Sequence, residues 1–251
     1  KAKTMKTYGL IGYPLEHSFS QNYFTEKFQY EGIEARYLNF PITGIDQLPD
    51  LLHNHPYLAG LNVTIPYKQE VMPYLDKVDP VAETIGAVNV IKIEWRNGNP
   101  FLTGYNTDVI GFTRSLSPLL QAHHQKALIL GTGGASKAVA HGLSQLGLLY
   151  RFVSRTPKHS SQVSYESLTP EIIEDYKVIV NTTPSGMSPH TYECPSLPYN
   201  GITSGHIAYD LIYNPESTLF LQKCANQGAI TKNGLEMLHL QAEAGWEIWN
   251  G

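Results

Sequence analysis

The stretch from Lys126 to Ala135 constrains this chain more than any other. Lys126-Ala127-Leu128-Ile129-Leu130 has the continuous apolar run of a strand buried on both faces, and it passes directly into Gly131-Thr132-Gly133-Gly134-Ala135. A helical pattern is expected next, over 135–146. Strand, glycine turn and helix in that order form the front of a dinucleotide-binding βαβ unit. Gly131 permits the tight turn, and Gly133 lets a pyrophosphate approach the backbone. The helix start turns free N–H groups and a positive dipole end toward the phosphates. The third glycine of G-x-G-x-x-G falls on Ser136, a small residue. A glycine-rich turn without a ligand is the plainer alternative, and the flanking strand and helix count against it.

The following strand, expected over 149–153, chooses between dinucleotides. A carboxylate about 20 residues beyond the glycines takes the ribose 2′-hydroxyl of NAD. Here the strand runs out through Val153-Ser154-Arg155-Thr156-Pro157-Lys158, with no acid and with two cations where a 2′-phosphate would lie. A guanidinium grips phosphate through two parallel N–H bonds, and lysine adds a point charge. NADP is therefore favoured over NAD; a solvated basic loop is the alternative.

Elsewhere the same rhythm continues. Strands are expected over 8–12, 37–40 and 61–65, with a helix after Ser20 built on Tyr23, Phe24, Lys27 and Phe28. Later strands are expected over 177–180 and 207–211. Asn97-Gly98 between the runs 88–96 and 101–105 is the strongest short-range hairpin signal. A two-residue loop there sets Asn89 opposite Asn106 unless Pro100 forces a bulge. The last helix, over 235–249, is expected to carry Leu235, Leu238, Ala242, Trp246 and Trp249 on one face. Alternating strands and helices describe an α/β chain with mainly parallel sheets.

Composition narrows the function. With 251 residues there is room for one large core or two modest ones. Net charge is −4 and no Lys/Arg cluster exceeds a residue or two, so neither nucleic acid nor membrane is expected as a partner. No apolar run approaches the roughly 18 residues of a membrane span, and the opening residues carry no signal-peptide core. Met5 reads as the natural start, with residues 1–4 left over from cloning. Cys194 and Cys224 make neither a disulfide framework nor a zinc site, so a reducing, cytoplasmic setting is expected. His17 and the other nine histidines lack metal-ligand spacing; His17 reads as structural and no metal is expected.

Several polar residues stand where a substrate would bind. Asn62 and Thr64 share a face of a strand that should be apolar on both faces, so they need partners. Lys68 follows at the C-terminal end of that strand, where α/β sheets collect ligands, although taken alone it reads as an exposed loop lysine. Asp108 lies near Asn89 at one end of the hairpin and also suits the N-cap of a helix starting at Val109. Ser18 and Ser20 present hydroxyls at a helix N-terminus, which suits a carboxylate as well as plain capping.

These segments resemble the shikimate dehydrogenase family over nearly the whole chain. The resemblance rests on Gly12-Tyr13-Pro14 with His17-Ser18-Phe19-Ser20, Asn62-Val63-Thr64-Ile65-Pro66-Tyr67-Lys68, Gly86-Ala87-Val88-Asn89, Asn106-Thr107-Asp108 and the glycine turn. It continues through Asn181-Thr182-Thr183-Pro184-Ser185-Gly186-Met187, Asp210-Leu211-Ile212-Tyr213-Asn214-Pro215 and Gly234-Leu235-Glu236-Met237-Leu238. It implies a substrate domain over 5–107, a Rossmann-like NADP domain over 108–232, and a last helix, 233–251, returning to the substrate side. It also implies reversible NADPH-dependent reduction of 3-dehydroshikimate to shikimate, on the route to chorismate and aromatic amino acids. Ser18 and Ser20 would hold the substrate carboxylate; Asn62, Thr64, Asn89, Tyr213 and Gln241 would line the ring; Lys68 and Asp108 would be the catalytic pair. Gly131, Gly133, Gly134 and Ala135 would take the pyrophosphate, and Ser154, Arg155, Thr156 and Lys158 the adenosine phosphate. Leu211 and Gly234 would form the nicotinamide end, and Met237 would also bind the cofactor.

The family usually has Asn where this chain has Ser154, and often Met near Leu211. One change keeps a hydrogen-bonding group, the other an apolar wall. The expected partners are small molecules only, with the chain a monomer or homodimer. On the last helix Met237 and Gln241 are four apart and flank the apolar face, so Gln241 either reaches a ligand or faces solvent. Three other readings remain: a quinate/shikimate dehydrogenase of relaxed specificity, a catalytically silent NADP-binding regulator, and a glycine-loop methyltransferase. The cations after Val153 and the presence of both Lys68 and Asp108 weigh against them.

Overall fold

The structure is a computed structural model that describes residues 5–16 and 18–251. The expectations for residues 1–4 and for His17 lie outside the described residues. Packing divides the chain into two compact units, one running up to Thr107 and taking in Ala242–Gly251, the other Asp108–Gln241.

The first unit holds β1 (Lys6–Gly12), α1 (Phe19–Glu31), β2 (Ala35–Pro41), α2 (Leu48–Asn54), β3 (Leu58–Val63), β4 (Lys77–Val78), α3 (Pro80–Ile85), β5 (Val90–Arg96) and β6 (Asn99–Tyr105). Its sheet runs β2-β1-β3-β5-β6-β4. β1 pairs in parallel with both β2 and β3, whereas β5 runs antiparallel to β3 and β6, so this sheet is mixed. The antiparallel step follows from the hairpin. Asn97 (φ 51°) and Gly98 (φ 80°) both take positive φ, as the tight turn between right-twisted strands requires. Pairing proceeds from Arg96 opposite Asn99, past Trp95 opposite Pro100, to Val90 opposite Tyr105 without a bulge. That is the register anticipated for Asn89 and Asn106.

On one face of this sheet Tyr8, Leu10, Phe24, Phe28, Tyr37, Val90, Ala242 and Trp249 form a single apolar cluster. Tyr8 stacks on Trp249 at 4.8 Å, and the Trp249 indole N–H donates to the Ile91 carbonyl at 3.0 Å. Gly60 lies directly under that indole, so any Cβ there would collide with the ring. Gly60→Ala is expected to lower stability by about 1–3 kcal/mol through overpacking. A urea midpoint equal to that of the parent protein would mean the indole does not rest on Gly60.

The second unit contains α4 (Asp108–Leu116), β7 (Lys126–Leu130), α5 (Gly134–Gln145), β8 (Leu149–Ser154), β9 (Gln162–Ser164), α6 (Pro170–Asp175), β10 (Val178–Asn181), β11 (Ile207–Asp210), α7 (Leu219–Asn226) and β12 (Ile230–Lys232). α8 (Leu235–Asn250) begins in this unit and ends in the first. The sheet, β12-β11-β10-β7-β8-β9, is parallel throughout, and apolar clusters cover both faces. That dictates the all-apolar composition of β7, every residue of which from Ala127 to Leu130 is fully buried.

The apolar face of α8 needs one correction. Leu235 is 42% exposed, whereas Met237, Gln241, Ala242, Ala244 and Trp249 are buried. Leu235 is the first residue of the helix, where its backbone N–H donates to Asn233 Oδ1, and the buried stripe starts at Met237. Among the described residues no helix is long and apolar enough to cross a membrane, and no group of His, Cys, Asp or Glu is arranged to hold a metal.

Candidate active site

In the first unit the C-terminal end of the parallel strands gathers a polar floor. Ser18 is the N-cap of α1, its Oγ accepting from the Gln21 backbone N–H at 3.4 Å. That bond uses a lone pair and leaves the hydroxyl proton available to a ligand, so capping and carboxylate binding are compatible. Ser20 lies two residues on and hydrogen-bonds Tyr37. Tyr37, buried on β2, reaches across β1 and donates to Asn62 Oδ1 at 2.7 Å, which leaves the Asn62 amide N–H groups as donors. Burial pushes the Tyr37 hydroxyl pKa well up, so it stays a neutral donor. The sequence marks Tyr37 only as part of a strand.

Thr64 follows β3, its N–H on the Ile11 carbonyl and its methyl against Gly12, where no Cβ would fit. Tyr67 turns into the core and donates to the Ile42 carbonyl at 2.6 Å, which leaves Lys68 half-buried beyond it. The Lys68 carbonyl accepts from Val88 N–H at 2.8 Å, binding this turn to the residue before Asn89. Asn89 then clasps Thr107: its Oδ1 accepts from Thr107 N–H at 2.7 Å and its Nδ2 donates to Thr107 Oγ1 at 2.9 Å. Asn106 donates to the Ala87 carbonyl at 3.0 Å. Both asparagine amides thus fix the segment that delivers Asp108, a buried residue and the first of α4, one position earlier than expected for that helix.

In the second unit Gly131 has φ 108° and packs against Thr182 Oγ1 and Thr183 Cγ2, so the turn admits no side chain. At Gly133 a Cβ would meet no atom within 4 Å, and Gly133 caps α5 without any side-chain oxygen. α5 therefore begins, at Gly134 and Ala135, with no side-chain oxygen capping its first turn, where the Ser136 N–H is bonded to the Gly133 carbonyl at 3.1 Å. An uncapped helix start of this kind can receive a pyrophosphate. Ser136, in the place of the third glycine, is buried and donates through Oγ to the Gly133 carbonyl at 2.5 Å, so its polar side chain is satisfied within the turn. At the end of β8, Ser154 Oγ accepts from Thr156 N–H at 3.1 Å, and Arg155, Thr156 and Lys158 are exposed. These features fit NADP(H) on the protein's own geometry.

The residues expected at the nicotinamide end come after β11. Leu211 is half-buried, and its carbonyl lies so close to Gly234 that a Cβ there could not be accommodated. Tyr213 is half-buried, with its pKa raised by burial. Met237 joins the core beside Phe112 and Tyr209, with its carbonyl against Gly111. Gln241 is buried and donates through Nε2 to the Leu238 carbonyl at 2.9 Å. Asn181 and Asp210, neighbours in the parallel register and both fully buried, form a polar pair. Both lie in motifs that carry the family resemblance, yet the sequence gives neither a role. Burial raises the Asp210 carboxyl pKa to about 6, against the opposing pull of hydrogen bonds from Thr218, Ile212 and Asn181.

Residues 10–91 match the family model of the shikimate dehydrogenase substrate binding domain. Over 275 aligned residues the chain is 36% identical to the shikimate dehydrogenase (NADP(+)) of Desulforamulus reducens, covering 97% of this chain and 89% of that protein. The chain belongs to the shikimate dehydrogenase family. The structure of shikimate 5-dehydrogenase from Thermus thermophilus, in complex with NADP(H) and shikimate, superposes with a TM-score of 0.85 at 30% identity, covering 98% of this chain and 94% of that one. Quinate dehydrogenase from Corynebacterium glutamicum, in complex with NAD, gives a TM-score of 0.86 at 27% identity with the same coverage. The stretch matched to the shikimate dehydrogenase substrate domain takes in Ser18, Ser20, Asn62, Thr64, Lys68 and Asn89.

Proposed function

We propose that this chain is an NADP-dependent shikimate dehydrogenase, an oxidoreductase acting on a CH–OH group that interconverts 3-dehydroshikimate and shikimate. What carries the reading is the coincidence of an ordered glycine turn with two cations after β8 and a lysine held beside the asparagine clasp. Segment 5–107 serves the substrate and 108–232 serves NADP(H), while 233–251 contributes to both, Gly234 and Met237 to the cofactor and Gln241 to the substrate. The chain acts on small molecules, as a monomer or a homodimer, in the cytoplasm.

NADPH, when bound, supplies the hydride that reaches the substrate carbonyl carbon. Negative charge then grows on the carbonyl oxygen, and Lys68 Nζ is the group that supplies a proton or a fixed positive charge there. Asp108 orients the ammonium and accepts from a ring hydroxyl; in the reverse direction the same pair takes the hydroxyl proton away. Ser18 and Ser20 donate to the substrate carboxylate, and the Asn62 amide donates to the ring. Arg155 and Lys158 neutralise the 2′-phosphate, while the N-terminus of α5 receives the pyrophosphate.

Absorbance at 340 nm tests this directly. Purified protein is expected to reduce NADP with shikimate, and to do so poorly with NAD or with quinate. Turnover with quinate and NAD at comparable kcat/KM would replace this reading with that of a relaxed quinate/shikimate dehydrogenase, and cofactor binding without turnover would make the chain a regulator. Ser18→Ala is expected to raise KM for shikimate about tenfold, with kcat and the KM for NADP little changed. A shift confined to the cofactor KM would remove Ser18 from the substrate site.

A further inference from the structure

The loops that follow β7, β10 and β11 are tied together by one fully buried carboxylate. Asp210 Oδ1 accepts from Ile212 N–H at 3.0 Å and from Asn181 Nδ2 at 3.2 Å, while Oδ2 accepts from Thr218 Oγ1 at 2.7 Å. Asn181 passes the tie onward, since its Oδ1 accepts from both the N–H and the hydroxyl of Thr183, at 3.1 and 2.7 Å. Thr183 and Thr182 pack against Gly131 of the glycine turn, and Thr182 donates twice to the Leu130 carbonyl. On the other side the Ile212 carbonyl accepts from Gly234 N–H at 3.1 Å, which holds Leu211 against the start of α8. Removing charge from water is costly, so a carboxylate at this depth calls for an explanation beyond stability alone.

We propose that Asp210 is a positioning residue for the cofactor: with Asn181 it fixes the glycine turn and the Leu211–Tyr213 segment in one frame, so that the pyrophosphate and nicotinamide ends are held at a set separation. This rests on the NADP reading above. Asp210 touches no ligand itself; it acts through Ile212, Asn181 and Thr218. Without the tie each loop can still form, but the two ends of an extended dinucleotide no longer meet their partners together.

Binding of NADPH, read by the fluorescence of the bound cofactor, tests this without turnover. Asp210→Ala is expected to raise the NADPH Kd at least about tenfold, because three hydrogen bonds to a charged acceptor are lost. Asp210→Asn keeps an acceptor for Ile212 and Asn181 and offers Thr218 a donor, so its Kd is expected within about threefold of the parent. A merely structural role would lower Tm and the folded fraction while leaving the Kd of folded protein unchanged. Asn181→Ala is expected to weaken NADPH in the same way, and the double variant Asn181→Ala/Asp210→Ala to be little worse than Asp210→Ala alone. An unchanged Kd in folded Asp210→Ala, or equal weakening by Asp210→Asn, would overturn the proposal. If Asp210→Ala does not fold, an unchanged Kd in Asn181→Ala overturns it alone. Absence of shikimate turnover in the parent protein would defeat the functional reading, whereas the Kd series would still decide the role of Asp210.

Discussion

Lys68→Ala is expected to lower kcat by roughly 10²-fold or more while the protein folds and binds NADPH as before. The expectation follows from where charge develops. Hydride arrival leaves an alkoxide, and only a group able to donate a proton or hold a positive charge lowers that barrier. The backbone of Lys68 is fixed independently of its side chain, since its carbonyl is held by Val88 and its neighbour Tyr67 is anchored to Ile42. Truncation therefore removes the ammonium and leaves the turn in place. Steady-state kinetics with shikimate and NADP reads the effect, and an unchanged kcat would remove Lys68 from the chemistry.

Arg155→Ala is expected to weaken NADPH by about 10- to 100-fold and NADH far less, because charge-assisted bonds to a phosphate contribute about 1.5–3 kcal/mol. Arg155 is exposed at the end of β8. In water part of that Coulomb attraction is screened, and the effect is expected to shrink as salt is raised. Titration of each cofactor in low and high salt checks both points. Equal loss for NADPH and NADH would mean that the guanidinium does not read the 2′-phosphate.

Local signals are legible in the sequence and non-local ones are not. Asn97-Gly98 carries the hairpin register because a two-residue loop admits only one pairing, and Gly131 announces its turn because no other residue takes φ 108° without strain. The helices α2, α3 and α6 leave no such trace: at six or seven residues they show fewer than two full turns of periodicity. For α3 and α6 the cue is a cap, with Asp79 and Thr169 each preceding a proline at the first helical position.

The site divides in the same way. Ser18 and Ser20 can be placed at a helix start from their own neighbourhood. The tie from Tyr37 to Asn62 cannot, since it crosses an intervening strand between residues 25 apart. Likewise Asn181 and Asp210 meet only through the register of two parallel strands joined by a long connection. Asn89 changes role for a related reason. Its amide is engaged by Thr107, so it shapes the approach to Asp108 in addition to any contact with a ring.

The decisive measurement is a double-mutant cycle on kcat with Lys68→Ala, Asp108→Ala and the two combined. If the ammonium and the carboxylate serve one bound molecule, the combined variant will be about as slow as the worse single variant, as for residues that act as a unit. Independent losses that multiply in the double variant would contradict that, and with it the assignment of these two residues to a common active site.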